Sequence, residues 1–162
     1  MAEYLLKGRI TKISATYHPR CIDIKVENGA YIKFAMDNGI EGSARVSFAE
    51  KRGGLVGTLS NLGYEIYGDK GVLRSYGTMF QLSGNPGEPI RQRLELETSS
   101  GVVQVSLPSS GHPNMYATVI GDHAWSILEG RQTDGLDGLW NLKLVLAAHE
   151  SAGSNGKPIH LA

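Results

Sequence analysis

The sequence predicts an α+β domain: a large, mainly antiparallel, open sheet with helices on one face. Three observations lead there. Short apolar–polar alternations separated by glycine turns fill the first two thirds of the 162 residues, and the period becomes helical in the last third. The turns between successive alternating runs are also too short for parallel crossovers, which need a dozen residues or more. Strands first and helices afterwards segregate the helices to one side of the sheet.

Taken in order, Ala2–Leu6 followed by Gly8 reads as the last turns of a helix, since glycine just past a helix end accepts positive φ. So short a helix does not stand alone in water. It either ends a longer element of a parent chain or packs on the core, and the residues leave the two equal. Ile10–Tyr17 alternates, with Ile13, Ala15 and Tyr17 against Lys12, Ser14 and Thr16. Ile22, Ile24 and Val26 alternate with Asp23 and Lys25. Asn28-Gly29 is a tight-turn pair leading into a strand over 31–36, where Ile32, Phe34 and Met36 share a face. Asp37-Asn38-Gly39 then turns the chain into a strand around 43–49. Strands over 55–67 and 72–76 meet at Gly68-Asp69-Lys70-Gly71, and strands over 91–97 and 102–107 meet at Ser99-Ser100-Gly101. Leu94, Leu96, Val103, Val105 and Leu107 point inward there.

Tyr116, Val119, Ile120, His123, Ala124, Ile127 and Leu128 follow helical spacing, and Gly130 ends their helix. Leu136, Leu139, Trp140, Val145, Ala147 and Ala148 make a second helix that closes near 153–156, with Trp140 expected between helix and sheet. Residues 157–161 return as an edge strand. The uncovered sheet face would carry Ser14, Thr16, Lys33, Arg45, Ser47, Arg93, Glu95 and Gln104. It is either solvated or a polar subunit interface.

Composition narrows the function. Sixteen basic and sixteen acidic residues argue against a nucleic-acid or membrane surface. No run of about 18 apolar residues is present to span a bilayer. The start lacks a basic segment followed by an apolar one, so no signal peptide is expected. The single cysteine, Cys21, excludes an internal disulfide and fits a cytoplasmic setting. With 41% hydrophobic residues, 1–162 suits one domain with a real core.

Catalytic signatures are missing. The sequence has no Gly-x-Gly-x-x-Gly, no opening strand–helix–strand unit and no Gly-x-Ser-x-Gly elbow. Gly153-Ser-Asn-Gly156-Lys157 has the wrong glycine spacing for a phosphate loop, and Pro158 stands where Ser or Thr is needed, so it reads as a turn. His18, His112, His123, His149 and His160 show no metal-ligand spacing with one another or with Cys21. His123 lies on an apolar stripe, where a core or boundary histidine is expected rather than a base. Cys21 has no evident activating partner. Lys51-Arg52, placed before Gly53-Gly54, could meet an anion or a sugar; a solvated loop is the default.

Four stretches carry a resemblance. They are Tyr4-Leu-Leu-Lys-Gly-Arg-Ile-Thr-Lys-Ile-Ser-Ala15; Asp23 to Met36 with Asp37-Asn38-Gly39-Ile40-Glu41-Gly42-Ser43; Tyr64-Glu65-Ile66-Tyr67-Gly68-Asp69-Lys70-Gly71-Val72-Leu73; and Leu136 to Ala152 with Ser154-Asn155-Gly156-Lys157-Pro158-Ile159. In this order the chain resembles the C-terminal domain of the Gfo/Idh/MocA family, which includes glucose–fructose oxidoreductase and myo-inositol dehydrogenase. The stretches match, in turn, the end of the active-site helix running into the first strand, a "fen-Gly" hairpin, an "I-x-Gly-x-x-Gly-x-Leu" turn, and the closing "A-x-x-S-A-x-x-G" helix and strand.

The resemblance implies a sheet domain of the dihydrodipicolinate reductase/GAPDH-like C-terminal type. It implies that the family's N-terminal Rossmann domain, with its dinucleotide and the lysine of a Glu-Lys-Pro motif, lies outside these residues. The family's acid/base histidine precedes the matched helix end, so no catalytic residue carries over. The parent would use NAD or NADP on a sugar, polyol or related hydroxylated compound, while this fragment alone would hold no cofactor and be inactive. By position, Lys51, Arg52 and Asn61 are the candidates for the wall of the substrate pocket. The open sheet face would form a homodimer. Two rivals stand beside this reading: a non-enzymatic sheet-based binding or assembly module, and a sheet domain whose Rossmann partner is a separate chain.

Overall fold

The computed structural model describes residues 1–20, 23–47, 63–77, 92–106, 115–131 and 136–161. The chain divides into two compact units, 1–50 with 130–162 and 51–129. The α+β class and the antiparallel pairing are as the sequence predicts. Where one large sheet is expected, the described residues form two sheets of four strands.

In the first unit, helix α1 (Ala2–Leu6) leads into β1 (Ile10–Tyr17), β2 (Gly29–Met36) and β3 (Glu41–Ser47). The sheet order is β3-β2-β1-β8, all antiparallel. Ile10, Ile13, Ala15 and Met36 are buried with Ala147. In a regular strand, residues 10 and 13 would face opposite ways. A register shift between Ile10 and Lys12 turns both to the core, as a bulge does. Ser14, Thr16, Lys33, Arg45 and Ser47 share the opposite face by register, as expected.

Two local expectations are corrected. The left-handed residue closing α1 is Lys7, at φ 55, not Gly8. Gly8 is needed for close approach instead: a Cβ there would stand 2.5 Å from Asn38 Nδ2, whose amide donates to the Leu6 carbonyl at 2.9 Å. The second correction concerns 22–26. Residues 23–28 form no strand. Tyr17 pairs with Ala30 and the His18 N–H donates to the Gly29 carbonyl, so Asn28-Gly29 opens β2 rather than turning a two-residue hairpin. The alternation there marks a loop whose Val26 is 60% exposed.

Helix α3 (Leu136–Gly153) packs on β1 and on β8 (Ile159–His160), the expected edge strand. Its exit reverses through Asn155 and Gly156, both at positive φ, with the Gly156 N–H returning to the Ser151 carbonyl at 2.8 Å. β8 pairs with β1 only at Lys12 and Ile13. Beyond it, the buried Ser151 hydroxyl accepts the Ala15 N–H at 2.9 Å and donates to the Lys157 carbonyl at 2.7 Å. It replaces the missing strand partner of the Ala15 N–H.

In the second unit, β4 (Gly63–Gly68), β5 (Gly71–Gly77), β6 (Gln92–Thr98) and β7 (Gly101–Gln104) pair in sequence order. By register one face carries Tyr64, Ile66, Leu73, Leu94, Leu96 and Val103. The other carries Glu65, Tyr67, Arg74, Tyr76, Arg93, Glu95, Glu97 and Gln104. Most of the polar face is paired within the sheet, although Arg93 Nε is buried without a hydrogen bond. Glu65 accepts from the Tyr67 and Tyr76 hydroxyls, Arg74 binds Glu97, and Arg93 lies 3.1 Å from Glu95. The two tyrosine hydrogen bonds hold the Glu65 carboxyl below the usual range and favour its charged form. Helix α2 (Met115–Leu128) forms where its spacing predicts. Its stripe, however, is exposed rather than inward: Val119, Ile120, Ile127 and Leu128 are each at least 67% accessible.

Candidate functional site

Lys51, Arg52 and Asn61, the candidates for the pocket wall, lie outside the described residues, as does Cys21. Among the described residues, polar groups from three segments converge where α1, the start of β1 and the start of α3 meet. Glu3, on the first turn of α1, is the hub; its side chain is only 17% exposed. Its carboxylate accepts the Ile10 N–H at 2.7 Å, the Trp140 indole N–H at 2.9 and 3.1 Å, and an Arg9 N–H at 3.3 Å. Its acceptor sites are thus taken up by donors from the backbone, the indole and the guanidinium.

Arg9 completes the joint. Its second terminal nitrogen reaches Asp137 at 3.3 Å, and its guanidinium lies 5.6 Å from the centre of the Trp140 ring. The hydrogen bond to Asp137 is the main reason its affinity for the proton is raised, with Glu3 adding to it. Trp140 is half-buried where substantial burial between helix and sheet is expected, and its indole N–H is held by Glu3 of α1.

Beside this joint, Arg9, Leu139, Trp140 and Lys143 line an open cleft of about 300 Å³. Two cations on an apolar wall suit a ligand with an apolar body and a negative edge. The joint offers no free base, because Glu3 is occupied by its donors. Sequence reasoning missed Glu3 and Arg9. Their partners lie up to 137 residues away, and an acidic residue in a first helical turn has an ordinary local explanation in the helix dipole.

With this geometry in place, comparison with solved structures identifies the fold. The fold is the α+β sheet fold of Gfo/Idh/MocA-type oxidoreductases. An aldose–aldose oxidoreductase from Caulobacter crescentus, solved with glycerol, superposes with a TM-score of 0.75 at 17% identity, over 99% of this chain and 44% of that one. An oxidoreductase from Agrobacterium radiobacter, solved with NAD+, L-tartaric acid and magnesium, gives 0.63 at 25% identity, over 98% and 45%. An inositol dehydrogenase homologue from Azotobacter vinelandii, solved with NADH and myo-inositol, gives 0.61 at 18%, over 99% and 46%. This chain thus spans less than half the length of these solved proteins. No protein-family model and no curated protein matches the sequence.

Proposed function

We propose that these residues are the substrate-pocket and dimerisation domain of an NAD(P)-dependent oxidoreductase acting on a sugar, polyol or related hydroxylated compound. One observation carries the reading: essentially the whole chain superposes on under half of enzymes solved with NAD+ or NADH and hydroxylated ligands. Hydride transfer needs a nicotinamide held against the carbinol carbon and a base for the hydroxyl proton. The sequence has no Gly-x-Gly-x-x-Gly to cradle a pyrophosphate, and Glu3 is not free to act as a base. The proposal therefore assigns cofactor and base to a Rossmann domain outside these residues, and a cytoplasmic setting to the whole. No helix among the described residues is long and apolar enough to cross a membrane.

Two expected outcomes follow from the division of labour. Titrated calorimetrically with NADH and NADPH, the 162-residue chain gives no binding heat; micromolar affinity for either overturns the assignment. Lys51, Arg52 and Asn61 are proposed to line the substrate pocket. Alanine at each, in the parent oxidoreductase, is expected to lower kcat/KM by about tenfold, as loss of a charged or polar substrate contact does. Unchanged kcat/KM for all three removes them from the pocket.

Association is proposed through the polar sheet faces. Arg45 and Lys33 in one sheet, and Arg93, Glu95 and Gln104 in the other, are too polar for a dry interface, but mixed charges pair across a two-fold axis. Sedimentation equilibrium at micromolar concentration should give twice the 17.5 kDa of one chain, with weaker association in high salt. A monomer mass at every salt concentration refutes the dimer.

A further inference from the structure

At the far end of β1, three side chains from distant parts of the sequence meet at one nitrogen. The Tyr17 hydroxyl lies 2.6 Å from His149 Nδ1, and Glu27 Oε1 lies 3.2 Å from the same atom. Tyr17 ends β1, Glu27 belongs to the connection between β1 and β2, and His149 lies on α3. Each is next to pinned backbone. The Ala15 N–H to Ser151 Oγ hydrogen bond ties β1 to α3 two residues from both Tyr17 and His149. Glu27 precedes the buried Asn28 and Gly29, and the Gly29 carbonyl is held by the His18 N–H. Ligands fixed by the scaffold in this way need little reorganisation to bind.

We propose that Tyr17, Glu27 and His149 form a binding site for a divalent transition-metal ion of the zinc type. The chemistry is an imidazole nitrogen, a carboxylate oxygen and a phenol oxygen, a donor set with the borderline softness that zinc accepts. The spacing fits. With bonds of about 2.0–2.1 Å, neighbouring donors in a tetrahedral site stand about 3.3 Å apart, so the histidine–glutamate pair is already placed and the tyrosine must retreat by less than about 1 Å. The three donors carry one formal negative charge and already converge on His149 Nδ1 as hydrogen-bond and ion-pair partners, contacts that a bound cation would replace.

His149 is 50% exposed and Glu27 35%, so an ion enters without opening the fold, and the fourth position is left to water. Among the described residues no three His, Cys, Asp or Glu side chains are grouped to hold a metal, so this site stands on the tyrosine as its third donor. The site is independent of the oxidoreductase reading.

The test uses the full chain after chelator treatment, in a Cys21→Ser background so that the thiol takes no part. Zinc alone is titrated calorimetrically, and cobalt is used as a visible-absorption reporter of tetrahedral coordination. One equivalent should bind with micromolar affinity. His149→Ala should abolish it, and Tyr17→Phe should weaken it by about tenfold or more, the scale on which single ligand-sphere groups act. Circular dichroism checks that each variant is folded. No binding to the folded chain, or equal binding to His149→Ala, overturns the site. An octahedral cobalt spectrum with no response to Tyr17→Phe overturns the tyrosine's role and with it the proposal.

Discussion

Replacing Trp140 with alanine is expected to destabilise the first unit by about 3 kcal/mol, at the lower end of what large aromatic deletions cost because the ring is only half-buried. Two losses add. The ring is the wall against which the Arg9 guanidinium rests, 5.6 Å from its centre. The indole N–H is also one of the donors on the Glu3 carboxylate, and its removal leaves a semi-buried charge with one hydrogen bond fewer. Trp140→Phe separates the two, since it keeps most of the apolar contact and loses only the donor; about 1 kcal/mol is expected. Glu3→Ala strands the Ile10 N–H and the indole together and should resemble Trp140→Ala in size. Urea denaturation followed by far-ultraviolet circular dichroism measures all three. A loss under about 1 kcal/mol for Trp140→Ala shows that the joint of α1, β1 and α3 is not held by this residue.

The sequence announces this fold where the physics is local and is silent where it is not. Alternation over Ile10–Tyr17 and the helical spacing behind α2 and α3 depend on neighbours within a turn or a pleat, so those elements appear where they are expected. The run at 22–26 alternates equally well, yet among the described residues 23–28 take no strand; pairing is decided by the β1–β2 register, which passes from Tyr17 to Ala30. Ile10 was similarly hidden, because a bulge rather than period 2 brings it to the core. The polar site residues were the least legible. Glu3, Arg9 and Asp137 are ordinary surface types one at a time, and Tyr17, Glu27 and His149 share no motif. Only the packing of α3 alongside β1, start against start and end against end, assembles either group. Family-like spacing around Ser151 and Gly156, in contrast, reduces to a physical need: one residue caps a strand edge and the next two reverse the chain.

Gly71→Ala is expected to have the larger effect in the second unit, for a reason the pattern Ile66-x-Gly68-x-x-Gly71-x-Leu73 does not itself reveal. The two glycines face each other across the β4–β5 turn, and by sequence they look equivalent. They are not. A Cβ on Gly71 would stand 2.1 Å from the Glu97 carbonyl oxygen, backbone of the neighbouring strand β6. A Cβ on Gly68 would find nothing closer than the Gly71 carbonyl at 3.6 Å, an ordinary contact. The first clash cannot be relieved by a rotamer change. It must push β5 and β6 apart at Val72↔Glu97, next to the Leu73↔Leu96 pair and the Arg74–Glu97 ion pair. Overpacking against fixed backbone costs about 3 kcal/mol, and Gly68→Ala should stay within about 0.5 kcal/mol. Amide hydrogen exchange over β5 and β6 reads the difference directly. Protection there should collapse in Gly71→Ala and persist in Gly68→Ala, and equal protection in the two variants means that the β5–β6 spacing is not set by Gly71.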